Sequence, residues 1–376
     1  MILHWKEYLI MQSLGKGRLR DMKTLEIRIP ESRVDYEIFI GNGLFGQIGR
    51  LIAENFEYRK TAIITDNNLY RLYVQDLQNT LNKIGIESRI ISVQPGEKSK
   101  SIETLMTVLE QLCESGITRG DLIIAFGGGV VGDLGGFAAS IFLRGVPYIQ
   151  IPTSLLAQVD SSVGGKTAID LPWGKNLIGS FYHPKAVFID PVLLQTLEKR
   201  HINDGLAEII KYGCIKEKAI LDRLMDCKHG SRLPEDMEEL IYSCCEIKRR
   251  VVEADERDKG ERMLLNFGHT LGHAVEKYFG YEKYTHGEAV AIGMAEVTRK
   301  SEAMGFTEEG TADVITEILK KFGLPHEMPV VNKDDIMDIV RLDKKFIGSS
   351  ICLILLRRIG CGEIIKLSHE ELINFL

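Results

Sequence analysis

The chain has 376 residues, 44% hydrophobic and 27% charged, a composition that argues against bulk disorder and a length that allows two domains with separate cores. The formal net charge of −6 argues against broad nucleic-acid binding, which requires clustered positive charge. No apolar run reaches the roughly 18 residues of a membrane span, and the first twelve residues lack the apolar core of a secretory signal.

The first half of the chain is predicted to be an α/β domain. Residues 1–22 match no clear element and are treated as an extension of unknown role. Beyond them, buried strands are predicted at residues 60–66, 88–93, 121–126, 147–151 and 186–189, with helical spacing of apolar residues over 102–113. Strands that alternate with helices predict a Rossmann-like parallel sheet covered on both faces, over residues 23–190.

The second half, residues 191–376, is predicted to be mainly α-helical. Helical periodicity is found over residues 204–216, 237–253, 264–278, 287–304 and 311–322. The apolar run 351–356 is the main exception and predicts a late strand. The sequence therefore predicts two domains of different class.

A glycine-rich segment follows the strand predicted at 121–126. Gly127, Gly129 and Gly132 satisfy G-x-G-x-x-G, and a helix-compatible run begins at residue 134. Glycines in this context allow a tight turn, and the helix N-terminus offers free N–H groups to a pyrophosphate. The alternative is a packing turn that binds no ligand.

The segment departs from the usual dinucleotide fingerprint in one respect. That fingerprint expects an acidic residue about 20 positions further on, to bind the ribose, but the next strand leads to Thr153 without an acid. An earlier predicted strand ends at Asp66, followed by Asn67 and Asn68, and these side chains suit a ribose equally well. The sequence therefore predicts a dinucleotide site of non-standard arrangement.

Two histidines suggest a metal site. His269 and His273 are spaced i and i+4, which places two imidazoles on one side of a helix. Thr270 stands where H-E-x-x-H metalloproteases have their general base, so that activity is not indicated. Taken alone, such a pair is more often accidental than a metal site.

The neighbouring residues favour the metal site. A continuous helix would align in one stripe the four polar residues Arg262, Asn266, His269 and His273. His286 is a candidate third ligand. Glu208 is a candidate carboxylate ligand, although Glu208 and Lys211 could equally form a weak surface ion pair. The seven cysteines form no C-x-x-C pair, which argues for reduced thiols in the cytoplasm and against a thiolate metal site; two histidines, one glutamate and an open position suit zinc or a similar ion.

Several cations lie beside glycines, asparagines or these motifs, although an ordinary surface role would explain any one of them. They are Arg144, Lys166, Lys175, Lys211, Lys248 and Arg262. An acidic protein that gathers cations near a glycine turn is suited to a substrate carrying both phosphate and carboxylate.

Six segments closely resemble those of the 3-dehydroquinate synthase family, in the family's order and spacing. They are 127–137 (GGGVVGDLGGF), 151–167 (IPTSLLAQVDSSVGGKT), 174–179 (GKNLIG), 205–211 (GLAEIIK), 265–273 (LNFGHTLGH) and 286–291 (HGEAVA). The resemblance runs from about residue 23 to residue 360.

The resemblance implies an NAD-binding α/β domain, a helical domain, an active site in the cleft and a homodimer. The implied reaction converts 3-deoxy-D-arabino-heptulosonate 7-phosphate to 3-dehydroquinate and phosphate in the shikimate pathway. It proceeds by oxidation, phosphate elimination, reduction and intramolecular aldol closure, with NAD acting catalytically and with a divalent metal, zinc or cobalt. The expected partner is thus a small phosphosugar.

The resemblance also implies roles for individual residues. The metal ligands would be Glu208, His269 and His286. The NAD contacts would be Asp66, Asn68, Glu97, Lys100, Gly129, Val130, Val131, Gly132, Asp133, Thr153, Ser154, Lys166, Lys175 and Thr196. The substrate or catalytic residues would be Asp160, Lys166, Asn176, Lys211, Lys248, Arg262, Asn266 and His273, together with Arg144, a phosphate-binding arginine that would reach across the dimer. Imidazole titrates near neutral pH, so His273 is the expected proton relay.

Four positions depart from the family pattern: His183, Ser154, Glu198 and Cys352. Cys352, near residues 343–345, stands where a basic residue is common, which leaves open whether a C-terminal cation contacts the substrate phosphate. The alternatives are a 2-deoxy-scyllo-inosose synthase-like cyclase, a metal-dependent polyol dehydrogenase and an inactive binding protein. The 163–167 stretch (VGGKT) and the LNFGHT form favour the dehydroquinate branch.

Overall fold

The computed structural model describes residues 22–58, 60–227, 236–341, 346–347 and 350–375. The predicted extension at 1–22 lies, apart from Met22, outside these residues. The chain divides into two compact units, one ending at Leu197 and the other beginning at Glu198. Among the described residues, no helix combines the length and the apolar character needed to span a membrane.

The first unit contains a seven-stranded sheet in the order β1-β2-β9-β6-β5-β3-β4. Its strands are β1 (Lys23–Ile29), β2 (Val34–Ile40), β3 (Lys60–Asp66), β4 (Glu87–Val93), β5 (Leu122–Gly127), β6 (Tyr148–Pro152) and β9 (Ala186–Ile189). All neighbouring pairs are parallel except β1 and β2, so the predicted parallel sheet is confirmed. A separate antiparallel hairpin pairs β7 (Lys166–Leu171) with β8 (Gly174–Phe181).

Helices cover both faces of this sheet. They are α1 (Ile48–Asn55), α2 (Asn67–Leu72), α3 (Val74–Asn82), α4 (Ile102–Glu114) and α5 (Gly129–Ile141). Because side chains alternate along a strand, Ile63 packs into one apolar cluster with α1 and α3, whereas Ile64 packs into a second with α4 and α5. Strands buried on both faces are apolar throughout, which is why their sequences predicted them.

The second unit is mainly helical, as predicted. Its helices are α6 (Lys199–Ile215), α7 (Lys218–Asp226), α8 (Met237–Ala254), α9 (His269–Tyr278), α10 (His286–Ala303), α11 (Thr311–Lys321), α12 (Lys333–Arg341) and α13 (His369–Phe375). The predicted late strand is confirmed as part of an antiparallel sheet of β10 (Phe346–Ile347), β11 (Ser350–Arg358) and β12 (Cys361–Ser368). On it, Cys352 pairs with Lys366, while residues 343–345 lie outside the described part of the chain.

One helix prediction is wrong in detail. The sequence predicted a continuous helix over 264–278, but the structure has a 3-10 turn (Glu261–Asn266), then Gly268 with φ of 77°, and then α9. This left-handed conformation suits glycine and interrupts the helix. Arg262 and Asn266 therefore precede α9 and do not share a helical stripe with the histidines.

Candidate functional site

Helix α6 carries a buried ion pair. Glu208 is 0% exposed and Lys211 is 1% exposed, and the Lys211 ammonium contacts the Glu208 carboxylate one turn away. Apart from this ion pair, neither oxygen of the Glu208 carboxylate accepts a hydrogen bond of regular geometry within the part of the chain that the structure describes. A buried carboxylate in this state is costly unless cations face it, so the weak surface pair considered from the sequence is excluded.

Two imidazoles face the same carboxylate. The Nε2 atoms of His269 and His286 lie 3.6 and 3.5 Å from Oε1 of Glu208, and the potential ligand atoms of the three residues all lie within 4.8 Å of one another. Nδ1 of His269 lies 3.0 Å from the carbonyl oxygen of Phe267. This contact suits an Nδ1–H donor, which leaves the lone pair of Nε2 directed at the cluster.

Close packing of α9 against α10 brings these histidines together. A Cβ on Gly272 would lie 3.0 Å from the carbonyl oxygen of Ala289, and one on Gly293 would overlap the carbonyl oxygen of Gly268. Helix α10 begins at His286, behind a capping box formed by Thr285 and Glu288. The glycines set the distance between the helices, and the capping box fixes His286 at the first position of α10.

Replacing Gly293 by Ala is expected to destabilise the protein by about 1–3 kcal/mol, because the added methyl group forces the two helices apart. The same separation moves His269 away from His286 and weakens metal binding. Denaturant unfolding and Co²⁺ titration measure the two effects. Gly46→Ala is the control, since a Cβ there meets nothing within 4 Å; equal stability of the two variants would contradict the packing argument.

Glu276 was missed by the sequence reasoning. It is 2% exposed, and its Oε2 lies 3.3 Å from Nδ1 of His286. Burial alone would lower the pKa of His286, but Glu208 and Glu276 together raise this pKa to about 10. The available signal was spacing, since an acid three residues after His273 lies on the same helical side as both histidines.

The donor set fits a divalent metal. Two imidazole nitrogens and a carboxylate are ligands that zinc and cobalt accept. Oε1 of Glu208 supplies the physical reason, because it accepts no hydrogen bond of regular geometry and faces the Nε2 atoms of both histidines, an arrangement that a bound cation would stabilise.

The structure places other predicted substrate residues in the second unit. The ring of His273 is half-buried, with its centroid 5.4 Å from that of His269 and 5.8 Å from that of His286. Lys248, on α8, and Arg262 are buried, and Nη1 of Arg262 donates to the carbonyl oxygen of Glu256 at 2.5 Å. Asn266 is half-buried. His273 is thus brought beside the metal-type cluster.

The glycine-rich segment of the first unit is a strand-to-helix turn. Helix α5 starts at Gly129, earlier than the predicted residue 134, so Val130, Val131, Gly132 and Asp133 lie in its first turns. The N–H groups at the start of a helix have no intrahelical partners and suit an anion. A Cβ on Gly129 would lie 3.2 Å from Oγ of Ser161, and one on Gly132 would lie 3.0 Å from Oε1 of Gln150, so the glycines also serve close packing.

A buried polar cluster surrounds Lys100, which is 4% exposed. Its Nζ lies 2.8 Å from Oδ2 of Asp133 and 3.5 Å from Oε1 of Glu97, and donates to Oδ1 of Asn176. Burial opposes the charge, yet the carboxylates of Asp133 and Glu97 raise the pKa of Lys100; burial raises the pKa of Asp133. The Nζ of Lys175 lies 4.0 Å from Glu97. Five residues predicted to contact NAD or substrate thus form one cluster.

The carboxyl edge of the parallel sheet gathers more predicted residues. Asp66 ends β3 beside β5, where its Oδ1 accepts from the N–H groups of Asn68 and Leu69. Buried Thr153 follows β6, and its N–H donates to the carbonyl oxygen of Gly127 at 3.0 Å. Ligands of open α/β sheets bind at this edge.

The remaining predicted residues lie in the loops and hairpin of the first unit. Ser154 adjoins Gly128, Asp160 lies in a π-helical turn, and Lys166 is exposed at the start of β7. Oγ1 of Thr196 lies 2.8 Å from the hydroxyl of Tyr73.

Arg144 is not at the carboxyl edge. It is exposed, has a left-handed φ of 67° and precedes β6, so it lies at the opposite edge of the sheet from the glycine turn.

Fold and site together define a class of protein in which a parallel α/β unit with a glycine-rich turn accompanies a helical unit that holds a buried cluster of two histidines and one glutamate. The family models for the 3-dehydroquinate synthase N-terminal and C-terminal regions match residues 90–204 and 205–346. A 3-dehydroquinate synthase of Clostridium kluyveri is 51% identical over 355 residues, covering 94% of this chain and 98% of the relative. The chain belongs to the 3-dehydroquinate synthase family, and it is an enzyme of the carbon–oxygen lyase type.

Solved structures show the same fold at lower identity. A 2-deoxy-scyllo-inosose synthase complexed with carbaglucose-6-phosphate, NAD⁺ and Co²⁺ is 26% identical, with a TM-score of 0.83 and coverage of 94% of this chain and 98% of that one. ValA, a 2-epi-5-epi-valiolone synthase from Streptomyces hygroscopicus subsp. jinggangensis 5008 with NAD⁺ and Zn²⁺ bound, is 26% identical, with a TM-score of 0.82 and coverage of 91% and 96%. The identity to the dehydroquinate relative is about twice as high, so the other cyclase activity is not favoured.

Proposed function

We propose that this chain converts 3-deoxy-D-arabino-heptulosonate 7-phosphate to 3-dehydroquinate and phosphate, with catalytic NAD and a divalent metal, as a step of aromatic amino acid biosynthesis. The observation that carries the proposal is the buried Glu208–His269–His286 cluster in a chain 51% identical to a named 3-dehydroquinate synthase. The oxidation, elimination, reduction and aldol closure of the family return NAD to its starting state.

Glu208, His269 and His286 would hold the metal, zinc or cobalt. Related cyclases were solved with Co²⁺ or Zn²⁺, which supports this choice. When bound, the metal supplies Lewis acidity to the substrate hydroxyl that is oxidised. Lys211, in contact with Glu208, keeps part of the carboxylate charge neutralised and offers an ammonium group to an anionic substrate.

The glycine turn and the polar cluster around Lys100 would hold NAD. Free N–H groups at the start of α5 suit the pyrophosphate, and Asp66, at the same sheet edge, suits a ribose hydroxyl. When bound, NAD supplies hydride acceptance and return, which no side chain can perform. The other NAD contacts in this proposal are Asn68, Glu97, Gly129, Val130, Val131, Gly132, Asp133, Thr153, Ser154, Lys166, Lys175 and Thr196.

The predicted substrate residues would bind the charged ends of the substrate and move its protons. Buried lysine and arginine form strong charge-assisted hydrogen bonds to carboxylate and phosphate. His273, half-buried beside the two histidine ligands, would relay a proton. The binding residues in this proposal are Arg144, Asp160, Lys166, Asn176, Lys211, Lys248, Arg262 and Asn266.

Phosphate release from the heptulosonate 7-phosphate tests the proposal. The full chain is stripped with a chelator, reloaded with Zn²⁺ or Co²⁺, and supplied with NAD while phosphate and NADH absorbance are followed. We expect release only when both metal and NAD are present, with no net NADH, because the hydride returns to the product. Absence of release from the metal-loaded, NAD-supplied protein would overturn the assignment, and stoichiometric NADH would point to a dehydrogenase.

The proposal includes a homodimer in the cytoplasm. None of the seven cysteines, all of which lie in the described part of the chain, forms a disulfide, which agrees with a reducing compartment. Light scattering of the purified chain tests the dimer, since a monomeric mass at micromolar concentration would contradict it.

A further inference from the structure

We propose that Glu276 is a positioning residue that sets the orientation and tautomer of His286 for the metal, an inference that rests on the proposed function because it concerns the same site. The Glu276 carboxylate approaches the ring nitrogen of His286 that faces away from Glu208. The two carboxylates therefore lie against opposite ends of one imidazole.

The distances define this arrangement. Oε2 of Glu276 lies 3.3 Å from Nδ1 of His286, and Nε2 of His286 lies 3.5 Å from Oε1 of Glu208. A carboxylate accepts but does not donate, so Glu276 keeps a hydrogen on Nδ1 of His286. Where a metal takes the place of the Nε2 hydrogen, the Nε2 lone pair is then left for that metal at the point where the three ligand atoms converge.

The two candidate histidine ligands are oriented by different groups. Nδ1 of His269 lies 3.0 Å from the backbone carbonyl oxygen of Phe267. His286, the first residue of α10, is instead contacted by the side chain of Glu276. A carboxylate acceptor strengthens an imidazole ligand as well as orienting it, and losing such a partner typically costs about 10–100-fold in metal affinity.

The burial of Glu276 supports a dedicated role. Its side chain is 2% exposed, and an ionised carboxylate at such a position is costly without donors or cations. The seventh position after His269 on α9 places Glu276 on the same helical side as both histidines. Helix α9 therefore carries both the candidate ligand His269 and Glu276, which orients the candidate ligand His286.

An alternative is that Glu276 binds an ion itself. Ligand atoms of His273, Glu276 and His286 also lie within 4.8 Å of one another. That arrangement would use Nδ1 of His286 for a second ion. Metal stoichiometry separates the two possibilities, because the positioning role requires one ion per chain and the ligand role adds a second.

The test compares the Co²⁺ affinity and visible absorption of the full chain with those of E276Q and E276A, by competition against a chelator. We expect one Co²⁺ per chain in the wild type. Affinity should fall on the order of 100-fold in E276A and 10-fold in E276Q, since the amide oxygen still accepts from Nδ1–H but lacks the charge. Glu317→Ala, an exposed glutamate on α11, should leave both readouts unchanged.

Wild-type affinity in E276A, or two Co²⁺ per chain in the wild type, would overturn the proposal. Circular dichroism of the metal-free proteins establishes folding; if E276A does not fold, E276Q decides, and an unchanged affinity there also overturns it. If the two Glu276 variants bind Co²⁺ more weakly, as expected, but the wild-type protein releases no phosphate, only the proposed function is contradicted. If the variants turn over normally and bind Co²⁺ with unchanged affinity, only the positioning role is contradicted.

Discussion

Replacing Glu208 by Gln is expected to lower kcat/KM for phosphate release on the order of 10³-fold or more. The change keeps the shape of the side chain but removes the one negatively charged group of the metal-type cluster, and a metal stabilises a developing alkoxide by several kcal/mol. It also takes the carboxylate away from buried Lys211. Metal content and turnover of the purified variant should fall together.

Glu217→Gln is the matched control, because Glu217 is exposed just beyond the end of α6. It should retain wild-type metal content and turnover. Circular dichroism establishes that Glu208→Gln is folded before its activity is read. Full metal content with normal turnover in Glu208→Gln would remove this residue from the metal site.

Lys100→Met should destabilise the first unit by about 3–5 kcal/mol, the usual cost of removing one partner from a buried ion pair. Lys100 is 4% exposed and lies 2.8 Å from Asp133, so its removal leaves that carboxylate without the nearest cation. Denaturant unfolding measures the loss, and NAD titration should show weaker binding, since the same cluster is proposed to hold the cofactor.

Two further variants sharpen this test. Lys83→Met changes an exposed lysine of the same unit and should alter stability by less than about 0.5 kcal/mol. Combining Lys100→Met with Asp133→Asn should recover part of the loss, because the second change removes the stranded charge. If the double variant loses as much stability as the two single variants together, Lys100 and Asp133 are not energetically coupled.

Much of the fold could be read from local patterns. Strands β3, β5 and β9 are buried along most or all of their length and therefore appear as unbroken apolar runs. The hairpin of β1 and β2 was not predicted, although its residues largely alternate between exposed and buried positions, a pattern typical of strands buried on one face. The glycine spacing and the strand before it located the turn at α5, although not the first residue of the helix.

The sequence by itself determined the parallel sheet, the glycine turn and the identity of the chemically capable residues, because periodicity and spacing are local properties of a chain. Tertiary structure decided which of those residues meet. Gly268 breaks the predicted helix, while Gly272 and Gly293 let α9 approach α10. The role of Glu276 could not be predicted from the sequence, because glutamates usually lie at the surface. Only the tertiary packing buries this residue beside His286 and so gives its carboxylate a role.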